Sequence, residues 1–163
     1  MKILKFPHPN LFIKCQNVTV FGKELKVLLD AMWETMINNN GVGLAANQAD
    51  LSFNMFVMEG PNKEQLYIVN PRIIKQSSLP ANLNEGCLSA PGELLVVSDR
   101  SYWTMIEYQD ETGAAQKKVF EGIYSVCVQH EIEHLEGKSF LESKSIPKNT
   151  RKKLSKKWGF TVK

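Results

Sequence analysis

His130, Glu131 and His134 form an HExxH element inside a stretch whose apolar residues recur at helical spacing. On a helix an i, i+4 pair stacks two imidazoles on one face, about 6 Å apart along the axis, so both can bond one metal ion at about 2 Å. Glu131 then stands beside that ion as a candidate general base for hydrolysis. Five-residue matches arise by chance, and histidines on an apolar face are often only core. The metal is favoured because two of the chain's 3 histidines share one stripe with Ile123, Val126 and Cys127.

A catalytic ion of this kind takes three protein ligands and keeps one position for water. Two cysteines compete for the third place. Cys127 lies on the same helix face, but a rise of about 10 Å separates it from His134, and one ion cannot bond both ends of that span. It reads as a small core residue under the site. Cys87 sits in Glu85-Gly86-Cys87-Leu88-Ser89, where the glycine permits close approach and the chain can arrive from outside the helix. A third segment, GVGLAANQ at 41–48, offers close backbone approach at its glycines and a side-chain N–H from Gln48 for a developing oxyanion. Alone, that segment reads rather as a glycine cap followed by a tightly packed small-residue strand or loop.

These residues need a frame. Residues 24–39 place Leu25, Leu28, Leu29, Met32 and Met36 at helical spacing, and the pattern stops at Asn40-Gly41. Short β-branched and aromatic segments follow at 53–58, 66–70, 72–76, 94–97, 103–108 and 116–120. The last two flank Asp110-Glu111-Thr112-Gly113, a turn that predicts an antiparallel hairpin. A second helix is expected over 121–136, with Gly137 just past its end, and a basic third helix after Pro147 with Leu154 and Trp158 as its apolar pair. The order predicts an α+β domain: antiparallel β-sheets packed around a central HExxH-bearing helix, with an N-terminal amphipathic helix and a C-terminal basic helix or tail.

With 163 residues, 43% hydrophobic and 23% charged, the chain fits one globular domain. Its apolar runs fall far short of a membrane span, and no signal-peptide core is seen. Three scattered cysteines exclude a disulfide framework and point to reduced thiols in the cytoplasm. Residues 1–143 hold 12 Lys+Arg and all 17 Asp+Glu, whereas 144–163 hold 8 basic residues and no acidic ones. The expected division is therefore a catalytic body over 1–143 and a basic tail or helix over 144–163, read either as a solvated end or as an arm for polyanions.

GVGLAANQ, EGCLS at 85–89 and QHEIEHLEG at 129–137, in that order, resemble the three signature motifs of the peptide deformylase family. The likeness extends to Ile3–Leu11, Asn70-Pro71 and Arg100, and fades after about Leu141. It implies removal of the N-formyl group from the initiator methionine of nascent bacterial or organellar polypeptides. It also implies that Cys87, His130 and His134 hold one divalent ion, ferrous iron first, with zinc, nickel or cobalt as alternatives. Glu131 acts as base and then acid, while Gln48 and the Leu88 N–H hold the oxyanion. The substrate backbone lies beside Val42 and Gly43, and its methionine enters a pocket of Val42, Leu83, Ile123, Val126 and Cys127. Glu85 either orients the Cys87 loop or binds a substrate backbone group. Glu133 stands where the family usually has aspartate. The basic tail is compatible with ribosome contact, in a monomer with no membrane partner. Two other readings compete. A zinc endopeptidase shares HExxH but mostly uses His or Glu as third ligand, and an RNA-binding module with structural zinc would need a fourth ligand that cannot be named.

Overall fold

A computed structural model describes residues 1–160; the last three residues of the basic tail lie outside that range. Among the described residues the chain is a mixed α/β fold of three α-helices and seven strands. Helix α1 (Lys23–Asn38) buries Leu25, Leu29, Met32 and Met36, the face that its apolar spacing predicts. At its end Asn40 takes the left-handed conformation (φ 54°), and the Gly41 N–H returns to the Met36 carbonyl at 2.9 Å. Gly41 allows a close approach. A Cβ there would come within 2.7 Å of Leu88 Cδ1, so a larger residue would have to push that side chain aside where the end of α1 meets the Cys87 loop.

Strands β1 (Gly43–Ala45), β2 (Met55–Glu59), β3 (Gln65–Gln76), β6 (Trp103–Gln109) and β7 (Ala115–Glu121) form one antiparallel sheet in the order β1-β2-β3-β6-β7. β4 (Asn84–Gly86) and β5 (Leu94–Val96) form a separate antiparallel pair. The hairpin of β6 and β7 turns where expected, with Asp110 Oδ1 accepting from the Thr112 and Ala114 N–H groups and Gly113 at φ 88°. Two expected strands are one. Asn70, at φ 51°, and Pro71 sit at a register shift inside β3, a bulge where a missing N–H costs no ladder bond.

Helix α2 (Gly122–Leu135) carries the HExxH element and packs on β1, β2, β6 and β7. Gly137 (φ 69°) closes it, with its N–H on the His134 carbonyl and the Lys138 N–H on that of Glu133. Helix α3 (Lys148–Trp158) is docked, which corrects the picture of a solvated end. Leu154 and Phe160 enter a second apolar cluster with Leu4, Phe6, Leu11, Ala90, Val97 and Phe140, so the basic segment covers core on one side and shows lysines on the other.

Candidate metal centre

Helix α2 delivers its two imidazoles as the i, i+4 spacing requires. His130 Nε2 and His134 Nε2 lie 3.2 Å apart, and Cys87 Sγ stands 3.1 Å from His134 Nε2. The three donor atoms lie within 4.8 Å of one another. Sulfur with two imidazoles is a donor set that divalent transition ions accept, and three protein ligands leave a position open. The residues present therefore fit an ion. Burial first, then the charges of His130 and Arg100, hold His134 well below the usual imidazole range, so that ring keeps a lone pair for coordination.

Cys87 reaches this point because β4 ends one residue earlier and its loop lines a cavity of about 480 Å³. Val42, Gly43, Gln48, Glu85, Leu88, Ile123, Val126, Cys127, His130 and Glu131 also line that cavity. Leu83, half-buried and one residue before β4, stands outside that lining. Ile123 and Val42 are about half exposed, at 49% and 45%, so they form the rim, while Val126 is buried deeper.

Gly43 explains why the first motif needs its second glycine. A Cβ there would lie 2.5 Å from Glu131 Oε1 and 2.7 Å from Cys127 Sγ. Glu131 is therefore pressed against β1. Its Oε2 is buried without a hydrogen-bond partner among the described residues, and burial pushes its carboxyl up to about 7 against the opposing pull of His130 and the Ala45 N–H. Gln48 is fixed through Oε1, which accepts from the Ala45 N–H at 2.9 Å. Its Nε2 donates to Ser89 Oγ at 3.1 Å and faces Cys87 Sγ at 3.5 Å. Among the described residues no hydrogen bond claims the Leu88 N–H.

The Glu85 carboxylate is held by protein partners. Its carboxylate pairs bidentately with Arg100, Oε2 to Nε and Oε1 to Nη2, both at 2.8 Å, and Oε1 also lies 3.3 Å from His130 Nδ1. Burial pushes the Glu85 carboxyl up, but the bonds from Arg100 and His130 win and hold it at about 2. Arg100 Nη2 reaches Glu133 Oε2 as well, at 2.8 Å, which gives the glutamate at that position a partner. The segment after Arg100 is tied to α2 by Gln129, whose side chain both accepts from the Ser101 N–H and donates to the Ser101 carbonyl.

Sequence reasoning passed over Phe140 and Phe6, whose rings lie 5.1 Å from His130 and 6.2 Å from His134, and Asn47, which donates to the His134 carbonyl. Phe6 and His134 are far apart in sequence, and Phe140 meets His130 only because the chain folds back after α2, so neither contact has a local signal. Asn47 had one, since it is the lone amide beside Gln48 in a run of small residues.

The family model described as polypeptide deformylase matches residues 1–150. A peptide deformylase of Campylobacter jejuni is 37% identical over 157 residues, covering 92% of this chain and 89% of that protein. The crystal structure of peptide deformylase from Thermus thermophilus superposes with a TM-score of 0.86 at 36% identity, covering 95% of this chain and 90% of that one. The enzyme from Synechococcus elongatus, solved in complex with actinonin, superposes with a TM-score of 0.90 at 29% identity, covering 99% and 87%.

Proposed function

The chain belongs to the peptide deformylase family, and from that premise we propose that it removes the N-formyl group from the initiator methionine of nascent polypeptides, releasing formate. The observation that carries this reading is a cavity lined by Cys87, His130 and Glu131, where the first two join His134 in one donor cluster and Glu131 Oε2 is buried without a hydrogen-bond partner among the described residues.

Cys87, His130 and His134 would hold one divalent ion; ferrous iron is our first choice, with zinc, nickel and cobalt compatible with the same donors. When bound, the ion supplies Lewis acidity that acidifies water and polarises the formyl oxygen. Glu131 takes the proton from the attacking water as its oxygen bonds to the formyl carbon. It returns that proton to the methionine nitrogen as the C–N bond breaks. Gln48 Nε2 and the Leu88 N–H donate to the oxygen that gains charge, and both are positioned before the reaction begins. The substrate backbone runs beside Val42 and Gly43, where the chain enters β1, an edge strand of the sheet. Its methionine side chain meets Ile123, Val126 and Cys127 on α2, the helix around which we read the fold as built.

Glu131→Ala should abolish formate release from a formyl-methionyl peptide while bound metal per chain stays unchanged. Full turnover in that variant would overturn the mechanism.

We place the chemistry in residues 1–143 and assign 144–163 as a basic arm. The enzyme is read as a cytoplasmic monomer. No described helix is long and apolar enough to cross a membrane. Lys152, Lys153 and Lys156 are exposed on α3 and suit ribosomal phosphates. Because α3 covers apolar core, charge reversal at these three lysines is a cleaner test than deletion. Co-sedimentation with ribosomes at low salt should be lost and peptide turnover kept; retained co-sedimentation would remove this assignment.

A further inference from the structure

Helix α3 has a second face that ribosome contact does not use, and it meets the rim of the active-site cavity. Glu93 belongs to the turn Pro91-Gly92-Glu93, which lines that cavity on the side of the Cys87 loop. Pro91 and Gly92 are exposed, so the turn forms the mouth and the buried donor cluster lies at the floor. Both polar contacts of the Glu93 carboxylate run to α3. Oε1 accepts from Trp158 Nε1 at 3.0 Å and pairs with Lys157 Nζ. The Lys157 ammonium also sits over the Trp158 ring, 5.3 Å from its centre.

The same contact is supported from below. Leu154 and Phe160 are buried in the cluster that contains Ala90 and Val97, and Cys87, Leu95 and Trp158 pack against it. Helix α3 therefore shares one apolar cluster with both ends of the segment that runs from the metal ligand to β5. The side chain of Lys157 is 58% exposed and that of Glu93 13%. The ion pair alone is thus a weak restraint, and the indole hydrogen bond on its packed ring is the stronger one.

We propose that Trp158 and Lys157 are positioning residues for substrate binding: by holding Glu93 they fix the Pro91–Glu93 turn as one wall of the cleft through which the peptide leaves the active site. This rests on the deformylase reading. A substrate anchored by its formyl group at the floor must lead the residues after methionine out past the mouth, so the turn acts on those residues and not on the bond being broken. The pair is then a determinant of affinity for longer peptides, built into a helix with no residue in the chemistry.

The test is Trp158→Phe combined with Lys157→Met, which keeps the packing and removes both partners of Glu93. Two substrates are compared, formyl-methionyl-alanyl-serine and formyl-methioninamide, which has nothing beyond methionine. The expected result is a KM for the tripeptide raised about five- to tenfold, as for loss of a net hydrogen bond and a weak ion pair. Its kcat, metal content and the KM for the amide should be unchanged. The dissociation constant of the deformylated tripeptide, read without turnover, should rise by the same factor. An unchanged tripeptide KM, or an equal rise for both substrates, would overturn the proposal. If the double variant fails to fold, Glu93→Ala removes the same two bonds from the other side and is judged by the same criteria. Failure of the wild-type protein to release formate from either substrate would instead sink the functional reading.

Discussion

Glu85 Oε1 lies 3.3 Å from His130 Nδ1, on the opposite edge of the ring from the nitrogen that faces His134 and Cys87. A residue two positions before one proposed ligand thus contacts another proposed ligand on a different element. Arg100, with both partners of the pair only 4% exposed in their side chains, keeps that carboxylate charged.

Glu85→Ala should therefore do two separable things. Metal affinity, measured by competition with a chelator, should fall about 10- to 100-fold because His130 loses its orienting acceptor. Stability should fall by about 3–5 kcal/mol because Arg100 is left buried without its main partner. Unfolding curves and metal titration would show both; wild-type affinity in a folded variant would remove Glu85 from the role.

Glu133→Ala tests the other half of the network. Its side chain is 37% exposed, so solvent already screens the pair with Arg100. The expected loss is about 1 kcal/mol or less, with metal affinity nearly unchanged. A cost equal to that of Glu85→Ala would mean that the two carboxylates share the burden equally.

Gly43→Ala should leave the fold recognisable by circular dichroism yet strip most of the activity. The new methyl would overlap Glu131 Oε1 and Cys127 Sγ, and a displacement of about 1 Å in a catalytic group is enough to cost about 100-fold. Near-normal kcat would show that β1 or Glu131 yields without harm.

Thiol chemistry gives a pH test. Burial pushes Cys15 up to about 11, and burial with the nearby Glu131 raises Cys127 as well. A raised thiol pKa removes thiolate at every pH below it, so at pH 8 about one Cys15 in a thousand is reactive, and the rate should climb tenfold per pH unit while the fold holds. In the metal-loaded protein at pH 8, disulfide-exchange reagents should label these two very slowly. Stripping the ion with a chelator should release one fast thiol, Cys87. Fast labelling that ignores the chelator would argue against Cys87 as a ligand.

Much of this molecule was legible in sequence because its signals are local. The HExxH spacing, the α1 stripe, the hairpin at Asp110–Gly113 and the cap at Gly137 each need only neighbours a few residues away. Strand β4 was missed because its Asn84-Glu85-Gly86 has neither β-branched nor aromatic residues, β1 was left open between strand and loop, and Asn70-Pro71 read as a break where the sheet uses it as a bulge. The residues proposed for the methionine pocket differ in how they could be read. Ile123, Val126 and Cys127 share a helix face, whereas the placement of Leu83 depends on how a loop returns.

Residue types and short spacings by themselves determined which groups could bind an ion and move a proton. Tertiary structure alone decided what holds those groups still. Glu85, Arg100 and Glu133 meet from three separate segments, and Glu93 finds Trp158 across 65 positions. A hydrogen bond acts over about 3 Å whatever the length of chain between its ends, so only the packed fold reveals such partners.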